Sequence, residues 1–122
     1  MKKEIKRIAL IAHDGKKAEM VAFVRGNVTQ LRDKKIYATG TTGKHIQNTN
    51  ELKVTRLNSG PYGGDAQIGA LISTKKIDAV IFFRDPLDKH PHEPDVQMLM
   101  RLCDVHNIPL ATNPATAELF LQ

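Results

Sequence analysis

Two short, wholly apolar runs constrain the fold more than any other feature of this sequence. Residues 8–12 read IALIA and residues 79–83 read AVIFF. A strand that is apolar on both sides is typical of a sheet covered on both faces. Segments with apolar residues three and four positions apart, the period of a helix, alternate with such runs along the chain. This alternation predicts βαβ units and a parallel sheet with the two runs at its centre.

The pattern predicts the following elements. The strands are Ile8 to Ala12, Ile36 to Thr39, Val54 to Leu57, Ala79 to Phe83, and Leu110 to Thr112. The helices are Lys16 to Leu31, a short one near Thr42, Ala66 to Thr74, one that starts at Pro94, and one capped by Asn113-Pro114 that runs into Gln122. The residues expected to face inward are Val21, Val24, Val28, Leu31, Ile68, Leu71, Ile72, Val96, Met98, Leu99, Met100 and Cys103. The predicted fold class is α/β, a single-domain three-layer sandwich around a mainly parallel sheet of about five strands.

Length and composition indicate one globular domain over residues 1–122. The chain is 41% hydrophobic and 25% charged, and no apolar run approaches the roughly 18 residues that a membrane helix needs. The basic N-terminus is followed by an apolar run without a cleavage-type site, so no export signal is predicted. Cys103 is the only cysteine, which excludes an intrachain disulfide and suits the reducing cytoplasm.

The net charge of +5 raises the question of a polyanionic partner. The lysines occur in scattered pairs, Lys16-Lys17, Lys34-Lys35 and Lys75-Lys76, without aromatic residues between them that could stack on bases. This distribution favours a solvated basic surface over a nucleic-acid interface. We therefore expect neither a nucleic acid nor a membrane as partner, and the charge would instead attract a small anionic substrate.

Polar, glycine-rich segments follow the C-terminal ends of four predicted strands. These segments are His13-Asp14, Thr39 to Gly43, Ser59 to Asp65, and Asp85 to Asp95. The C-terminal ends of the strands in an open α/β sheet meet at one crevice where ligands bind. The sequence therefore predicts one shared site.

The segment Thr39-Gly40-Thr41-Thr42-Gly43 offers hydroxyls and backbone N–H groups at the start of a helix. Such a helix start suits phosphate, although the same residues could form only a tight connection. A nucleotide P-loop is excluded because only two residues separate the glycines and no hydroxyl follows Lys44. Ser59-Gly60 and Lys17 are expected at the same edge, which favours the phosphate site.

Asp65 follows two glycines at a predicted helix start. One interpretation is a helix cap, and the other is a general base that the flexible Gly63-Gly64 backbone lets approach a ligand. A free aspartate has a pKa of about 3.9, so removal of a proton from carbon also requires stabilisation of the resulting anion. A base at Asp65 would therefore need an electrophilic partner.

His92 is the candidate for that partner, because an imidazole can polarise a carbonyl and move protons between oxygens. A metal site formed by His90, His92 and Glu93 is the competing interpretation, but no second ligand cluster with zinc spacing is present. His45 and His106 are expected on helix surfaces. His13-Asp14 and Asp85 could be salt-bridged scaffold residues or groups that orient the catalytic pair.

Taken together, these segments resemble one family. ALIAHD, YATGTTG, SGPYGGD, IGALIS, DAVIFFRDPL, PHEPDV and RLCDVHNIPLATN are similar, in this order, to the methylglyoxal synthase family along nearly the whole chain. The resemblance implies a Rossmann-like α/β fold and a carbon–oxygen lyase that converts dihydroxyacetone phosphate into methylglyoxal and inorganic phosphate. It also implies no metal or organic cofactor, a homohexamer, and inhibition by phosphate that is often cooperative.

The resemblance also implies roles for individual residues. The substrate and its phosphate would be held by Lys17, Thr39, Gly40, Thr41, Thr42, Ser59 and Gly60, with His13 and His92. Asp65 would be the base, and His92 would bond to the oxygens of an enediolate. Asp95, with His13, Asp14 and Asp85, would order the site.

Two further expectations come from the same resemblance. Members of the family usually continue past the position of Gln122 into further helical residues. The resemblance therefore implies a C-terminal helical tail, which the present sequence does not include. Similar domains also serve as regulatory modules, in carbamoyl phosphate synthetase and in the purine-pathway cyclohydrolase. A regulatory module needs the phosphate loop but not Asp65, His92 and Asp95, so their presence favours an enzyme.

Overall fold

The computed structural model describes residues 4–49, 52–87 and 94–122. Its centre is a sheet of five parallel strands: β1 (Arg7–Ala12), β2 (Lys35–Thr39), β3 (Val54–Leu57), β4 (Ala79–Phe83) and β5 (Leu110–Ala111). The spatial order is β3-β2-β1-β4-β5, and every neighbouring pair is parallel. The predicted α/β fold, the five strands and the central position of the two apolar runs are confirmed.

Six α-helices connect or flank the strands in the described residues: α1 (Lys17–Gly26), α2 (Val28–Leu31), α3 (Gly40–Thr49), α4 (Gly64–Ser73), α5 (Pro94–His106) and α6 (Pro114–Leu119). Single 3₁₀ turns at Asp14–Lys16 and Gly60–Tyr62 precede α1 and α4. No helix in this part of the chain is long and apolar enough to cross a membrane.

Two predicted helices differ from those observed. The helix expected over Lys16 to Leu31 is interrupted at Asn27, whose side-chain Nδ2 donates to the backbone carbonyl of Phe23 at 2.8 Å. This side-chain bond competes with the helical backbone pattern and separates α1 from α2. The last helix is capped as predicted, since Asn113 Oδ1 accepts from the Thr116 N–H at 2.9 Å, but it ends at Leu119 in a tighter final turn.

Apolar clusters cover both faces of the sheet and make the three layers. On one face Ile8 and Leu10 pack with α1, α3 and α6; on the other, Ala9 and Ile11 pack with α4 and α5. Met20 and Phe23 are buried in α1, whereas the predicted Val21 and Val28 are half-buried.

Predictions for the face of α5 are mostly confirmed. Val96, Leu99 and Cys103 are buried, and burial raises the pKa of the Cys103 thiol to about 11, which is typical of a core cysteine rather than a nucleophile. Met98 is half-buried against the same cluster, but Met100 is 37% exposed. The prediction that Met100 belongs to the core is wrong, because it lies at the edge of the buried stripe of α5.

Asp78 joins the starts of β1 and β4 at the N-terminal edge of the sheet. Its carboxylate is buried and accepts hydrogen bonds from the backbone N–H groups of Lys6 and Arg7 and from the Arg7 guanidinium, at 2.9–3.3 Å. Burial alone would raise the pKa of Asp78, but these donors outweigh it and leave the pKa below its ordinary value. The charged carboxylate therefore stabilises the fold.

We expect Asp78→Asn to lower the free energy of unfolding by about 2 kcal/mol at pH 7, because charge-assisted bonds to a buried group are lost. Since the pKa of Asp78 is lowered by folding, its stabilisation is present above the unfolded carboxyl pKa of about 3.9 and is lost as the pH falls through the folded value. Urea unfolding at several pH values measures this, with exposed Asp33→Asn as the matched control. An equal effect of both substitutions would contradict the assignment.

Candidate active site

A cleft of about 380 Å³ opens at the C-terminal edge of the sheet, where the loops after β1, β2 and β3 meet. Ten of the residues predicted for the site line it: His13, Asp14, Lys17, Thr39, Gly40, Thr41, Thr42, Ser59, Gly60 and Asp65. Residues up to 52 positions apart in sequence thus share one cavity, because parallel strands deliver their C-terminal ends to one edge.

The start of α3 is the part of the cleft best suited to an anion. Helix α3 begins at Gly40, immediately after β2, so its first backbone N–H groups and the positive end of its dipole face the cavity. Thr42 is only 1% exposed, and its Oγ1 has no hydrogen-bond partner among the described residues. A buried hydroxyl without a partner is costly, so this position favours a ligand that bonds to it.

Gly40 brings the loops after β2 and β3 into contact. Its φ of +32° is outside the range that side-chain-bearing residues favour, and a Cβ on Gly40 would lie 2.7 Å from the Cα of Ser59. Only glycine therefore allows Ser59 and the threonine turn to lie against each other. This contact places the two halves of the anion site side by side.

Lys17 supplies a cation to the cleft from the first residue of α1. Its Nζ lies 2.7 Å from Asp14 Oδ1, and the Asp14 side chain is 86% exposed at the mouth of the cleft. Asp14 therefore forms a salt bridge, one of the two alternatives left open by the sequence. An anion that enters the cleft must share Lys17 with this carboxylate.

Asp65 lies one residue inside α4, whose N-cap is Gly63 with a φ of 100°. Gly64 has no room for a side chain, since a Cβ there would overlap the backbone carbonyl of Asn58. These glycines hold the start of α4 against the loop after β3, and Asp65 Oδ2 lies 3.3 Å from the point where a Cβ on Gly60 would sit. The Asp65 carboxylate is therefore close to Gly60 in the loop after β3. Asp65 is not the N-cap residue of α4, because Gly63 occupies that position.

His13 follows β1 and has a defined proton position. Its Nδ1 accepts a hydrogen bond from the backbone N–H of Asp85 at 2.9 Å, and its ring packs edge-on against Phe82 at 5.0 Å between centroids. A ring nitrogen that accepts from an N–H carries no proton, so the proton of the neutral ring is on Nε2. His13 can therefore offer Nε2–H as a donor.

Asp85 lies behind the cleft rather than in its lining. Its Oδ1 accepts from the Leu87 N–H at 3.2 Å, and its carboxylate covers Gly15, where a Cβ would meet Asp85 Oδ2 at 2.6 Å. The backbone of Asp85 orients His13, as described above. The hydrogen bond to His13 comes from the backbone, so it assigns no role to the Asp85 carboxylate.

Apolar residues of the cleft are absent from the residues predicted for the site. Ile11, Ala12, Pro61, Phe82 and Val96 also line the cavity, and all but Pro61 are buried. Sequence patterns marked these positions only as core. Their placement within one residue of the C-terminal ends of β1 and β4, in the loop after β3, or in the first turn of α5 is the signal that could have identified them. They exclude water from one side of the cleft.

Several predicted site residues fall outside what the structure describes. His92, His90 and Glu93 lie outside the described residues, and Asp95 lies in the first turn of α5 with a side chain that is not described. Within residues 4–49, 52–87 and 94–122, no group of three or more His, Cys, Asp or Glu side chains could hold a metal ion. Lys44 is exposed and does not line the cleft, which agrees with the exclusion of a nucleotide P-loop.

Comparisons with known proteins agree with this fold and cleft. The family model for the MGS-like domain matches residues 19–112. Methylglyoxal synthase from Geobacillus thermodenitrificans is 60% identical over 95% of this chain and 81% of its own length. That from Borrelia garinii is 56% identical over 96% of this chain and 93% of its own. The crystal structure of methylglyoxal synthase from Elizabethkingia anophelis superposes with a TM-score of 0.90 at 46% identity, over 97% of this chain and 78% of that one.

The parallel sheet, the anion cleft at its C-terminal edge and the matched family model define an enzyme domain of the MGS-like class. Within that class, curated relatives that are 54–60% identical over most of the chain are methylglyoxal synthases. The chain belongs to the methylglyoxal synthase family.

We expect long-range ¹H–¹⁵N NMR spectra at neutral pH to find His13 with its proton on Nε2 and an unprotonated Nδ1, because Nδ1 accepts from the Asp85 N–H. The spectrum of His13→Asn is the control, because the signals of the His13 ring must be absent from it. A proton on Nδ1 of His13 would contradict the hydrogen bond described here.

Proposed function

We propose that the cleft converts dihydroxyacetone phosphate into methylglyoxal and inorganic phosphate through an enediolate, with Asp65 as the base. The observation that carries this proposal is the unpartnered buried hydroxyl of Thr42 at the start of α3, in the same cleft as Lys17 and Asp65. A phosphate holder and a carboxylate in one cavity are what an elimination from a phosphorylated ketone needs.

The phosphate group of the substrate lies at the start of α3 in this proposal. The Thr42 hydroxyl and the first N–H groups of α3 donate to its oxygens, and Lys17 supplies the positive charge. Ser59 and Gly60 close the site from the neighbouring loop because Gly40 allows close contact. Thr39, Gly40 and Thr41 complete the turn around the anion.

Asp65 removes a proton from the hydroxymethyl carbon, and the electron pair moves into the carbonyl to form an enediolate. An ordinary carboxylate is a weak base for this step, so the negative oxygen must be stabilised. The Nε2–H of His13 is one donor available for this purpose. His92 is the second, and its role, like that of Asp95, rests on the sequence resemblance.

The enediolate then loses phosphate instead of taking the proton back. The enediolate double bond shifts to the carbon that carries the phosphate while the bridging carbon–oxygen bond breaks, and phosphate leaves with the electron pair of that bond. The terminal hydroxyl loses its proton and becomes the aldehyde, and the resulting enol takes up a proton on its CH₂ carbon to give methylglyoxal. This outcome requires the breaking bond to stand perpendicular to the enediolate plane, so the phosphate holder selects the product. The apolar wall of Ile11, Phe82 and Val96 keeps water from the intermediate.

Several expectations accompany this reaction. Released phosphate competes for the start of α3 and acts as an inhibitor, and the active assembly is a homohexamer, as the sequence resemblance implies. The chemistry assigns no step to a metal or organic cofactor. A cytoplasmic location suits the free, buried thiol of Cys103.

We expect Asp65→Asn to lower turnover about a thousandfold, because it removes the base while leaving the phosphate holder intact. Formation of methylglyoxal and release of phosphate from dihydroxyacetone phosphate are measured together, and the unaltered chain should give equal amounts of both. Exposed Asp104→Asn is the matched control and should retain turnover. Unchanged turnover in Asp65→Asn would remove this residue from the mechanism.

We expect Thr42→Val to weaken phosphate binding by about tenfold to a hundredfold, because a hydrogen bond to a charged ligand is worth about 1.5–3 kcal/mol. Valine has a similar shape, so the buried packing of Thr42 is kept. Calorimetric titration with inorganic phosphate measures the change, and Thr29→Val is the control, because Thr29 is exposed and lines neither concavity. Equal affinity in the two variants would place the phosphate elsewhere.

A further inference from the structure

A second concavity lies at the opposite edge of the sheet and has no part in the reaction. It has a volume of about 660 Å³ and lies where the turn after α2 enters β2 and where β3 begins. We call it the basic depression, and it is lined by Arg32, Asp33, Lys34, Lys35, Gln47, Leu52, Lys53, Val54 and Thr55. The Lys34-Lys35 pair noted in the sequence thus belongs to a concave surface.

The described lining of the basic depression carries four cationic side chains, Arg32, Lys34, Lys35 and Lys53, and one carboxylate, Asp33. Two of the cations are held in place: Lys34 Nζ donates to the Ile5 carbonyl at 2.8 Å, and Lys35 Nζ lies 5.2 Å from the centre of the Tyr37 ring. A concave surface on which one sign of charge predominates concentrates counter-ions. Anions are therefore the ligands that it favours.

The floor of the basic depression is formed by a buried side chain and a hydrogen bond between two elements. Leu52 is only 6% exposed, and Gln47 Nε2 donates to the Val54 carbonyl at 3.3 Å, which ties α3 to the start of β3. Arg32, Lys34 and Lys35 come from the turn that enters β2, and Lys53 comes from the residues before β3, so two segments bring positive charge to this floor. A ligand with several negative groups would match this distribution.

We propose that the basic depression binds a small polyanion with two or more linked phosphate groups. The chemistry differs from that of a nucleic-acid groove, because the described lining contains no aromatic ring on which a base could stack. The basic depression is also separate from the catalytic cleft. Strand β2 begins at Lys35, which lines the basic depression, and ends at Thr39, which lines the catalytic cleft, about 13 Å away.

Inorganic tripolyphosphate is the probe for this site, titrated calorimetrically into the full chain in excess inorganic phosphate that fills the catalytic cleft. At about 0.15 M salt, we expect binding by the unaltered chain and at least about tenfold weaker binding by Arg32→Gln/Lys53→Gln. The matched control is Lys76→Gln/Arg101→Gln, which removes the same charge from exposed positions outside the basic depression. This control should bind within about twofold of the unaltered chain.

Turnover of dihydroxyacetone phosphate in both double variants verifies that they are folded, since none of the four residues lines the catalytic cleft. If Arg32→Gln/Lys53→Gln does not fold, Lys35→Gln alone should still weaken tripolyphosphate binding. Absence of binding by the unaltered chain, or equal weakening in both double variants, would overturn the proposal. So would tighter binding of a single-stranded RNA that competes with tripolyphosphate, which would identify a nucleic-acid surface instead.

Discussion

The contact between Gly40 and Ser59 is the constraint on which the catalytic cleft depends. The parallel register of β1, β2 and β3 brings their C-terminal ends to one edge, where the loops after β2 and β3 contact each other. Gly40, with its positive φ and no side chain, lets the Ser59 backbone approach the start of α3. Residues from β2, α3 and the loop after β3 consequently surround the same anion site.

Stability and chemistry lie at opposite ends of the sheet. Asp78 fixes the N-terminal ends of β1 and β4 through charged hydrogen bonds, whereas the C-terminal ends carry the loops with the anion site and the carboxylate of Asp65. The buried strands between these two ends, such as Ala79–Phe83, are tightly packed and hold the two ends in fixed relative positions. The cleft can therefore hold costly groups, such as the unpartnered hydroxyl of Thr42, because the stabilising interactions lie elsewhere.

The sequence predicted the sheet because wholly apolar runs bounded by turns are typical of strands covered on both faces. Ten of its candidate site residues line one cleft because polar loops follow the C-terminal ends of the parallel strands. The sequence could not predict the break at Asn27, where one side-chain hydrogen bond overrides a helical pattern. Nor could it decide which threonine of the turn is buried: Thr41 is exposed and Thr42 is 1% exposed, a difference set by how α3 is rotated against the sheet. Residues of the cleft wall such as Phe82 were not predicted, because apolar positions that face a ligand have the same sequence pattern as apolar positions in the core.

In the salt bridge between Asp14 and Lys17, the positive charge of Lys17 is balanced by a carboxylate of the same chain. Because Asp14 balances the charge of Lys17, the cleft should attract monovalent anions only weakly. A dianionic phosphate would provide more charge than the single carboxylate and would also accept hydrogen bonds from the α3 N–H groups. Because any anion in the cleft would have to compete with Asp14 for the Lys17 ammonium group, this salt bridge would favour dianionic ligands over monovalent ones.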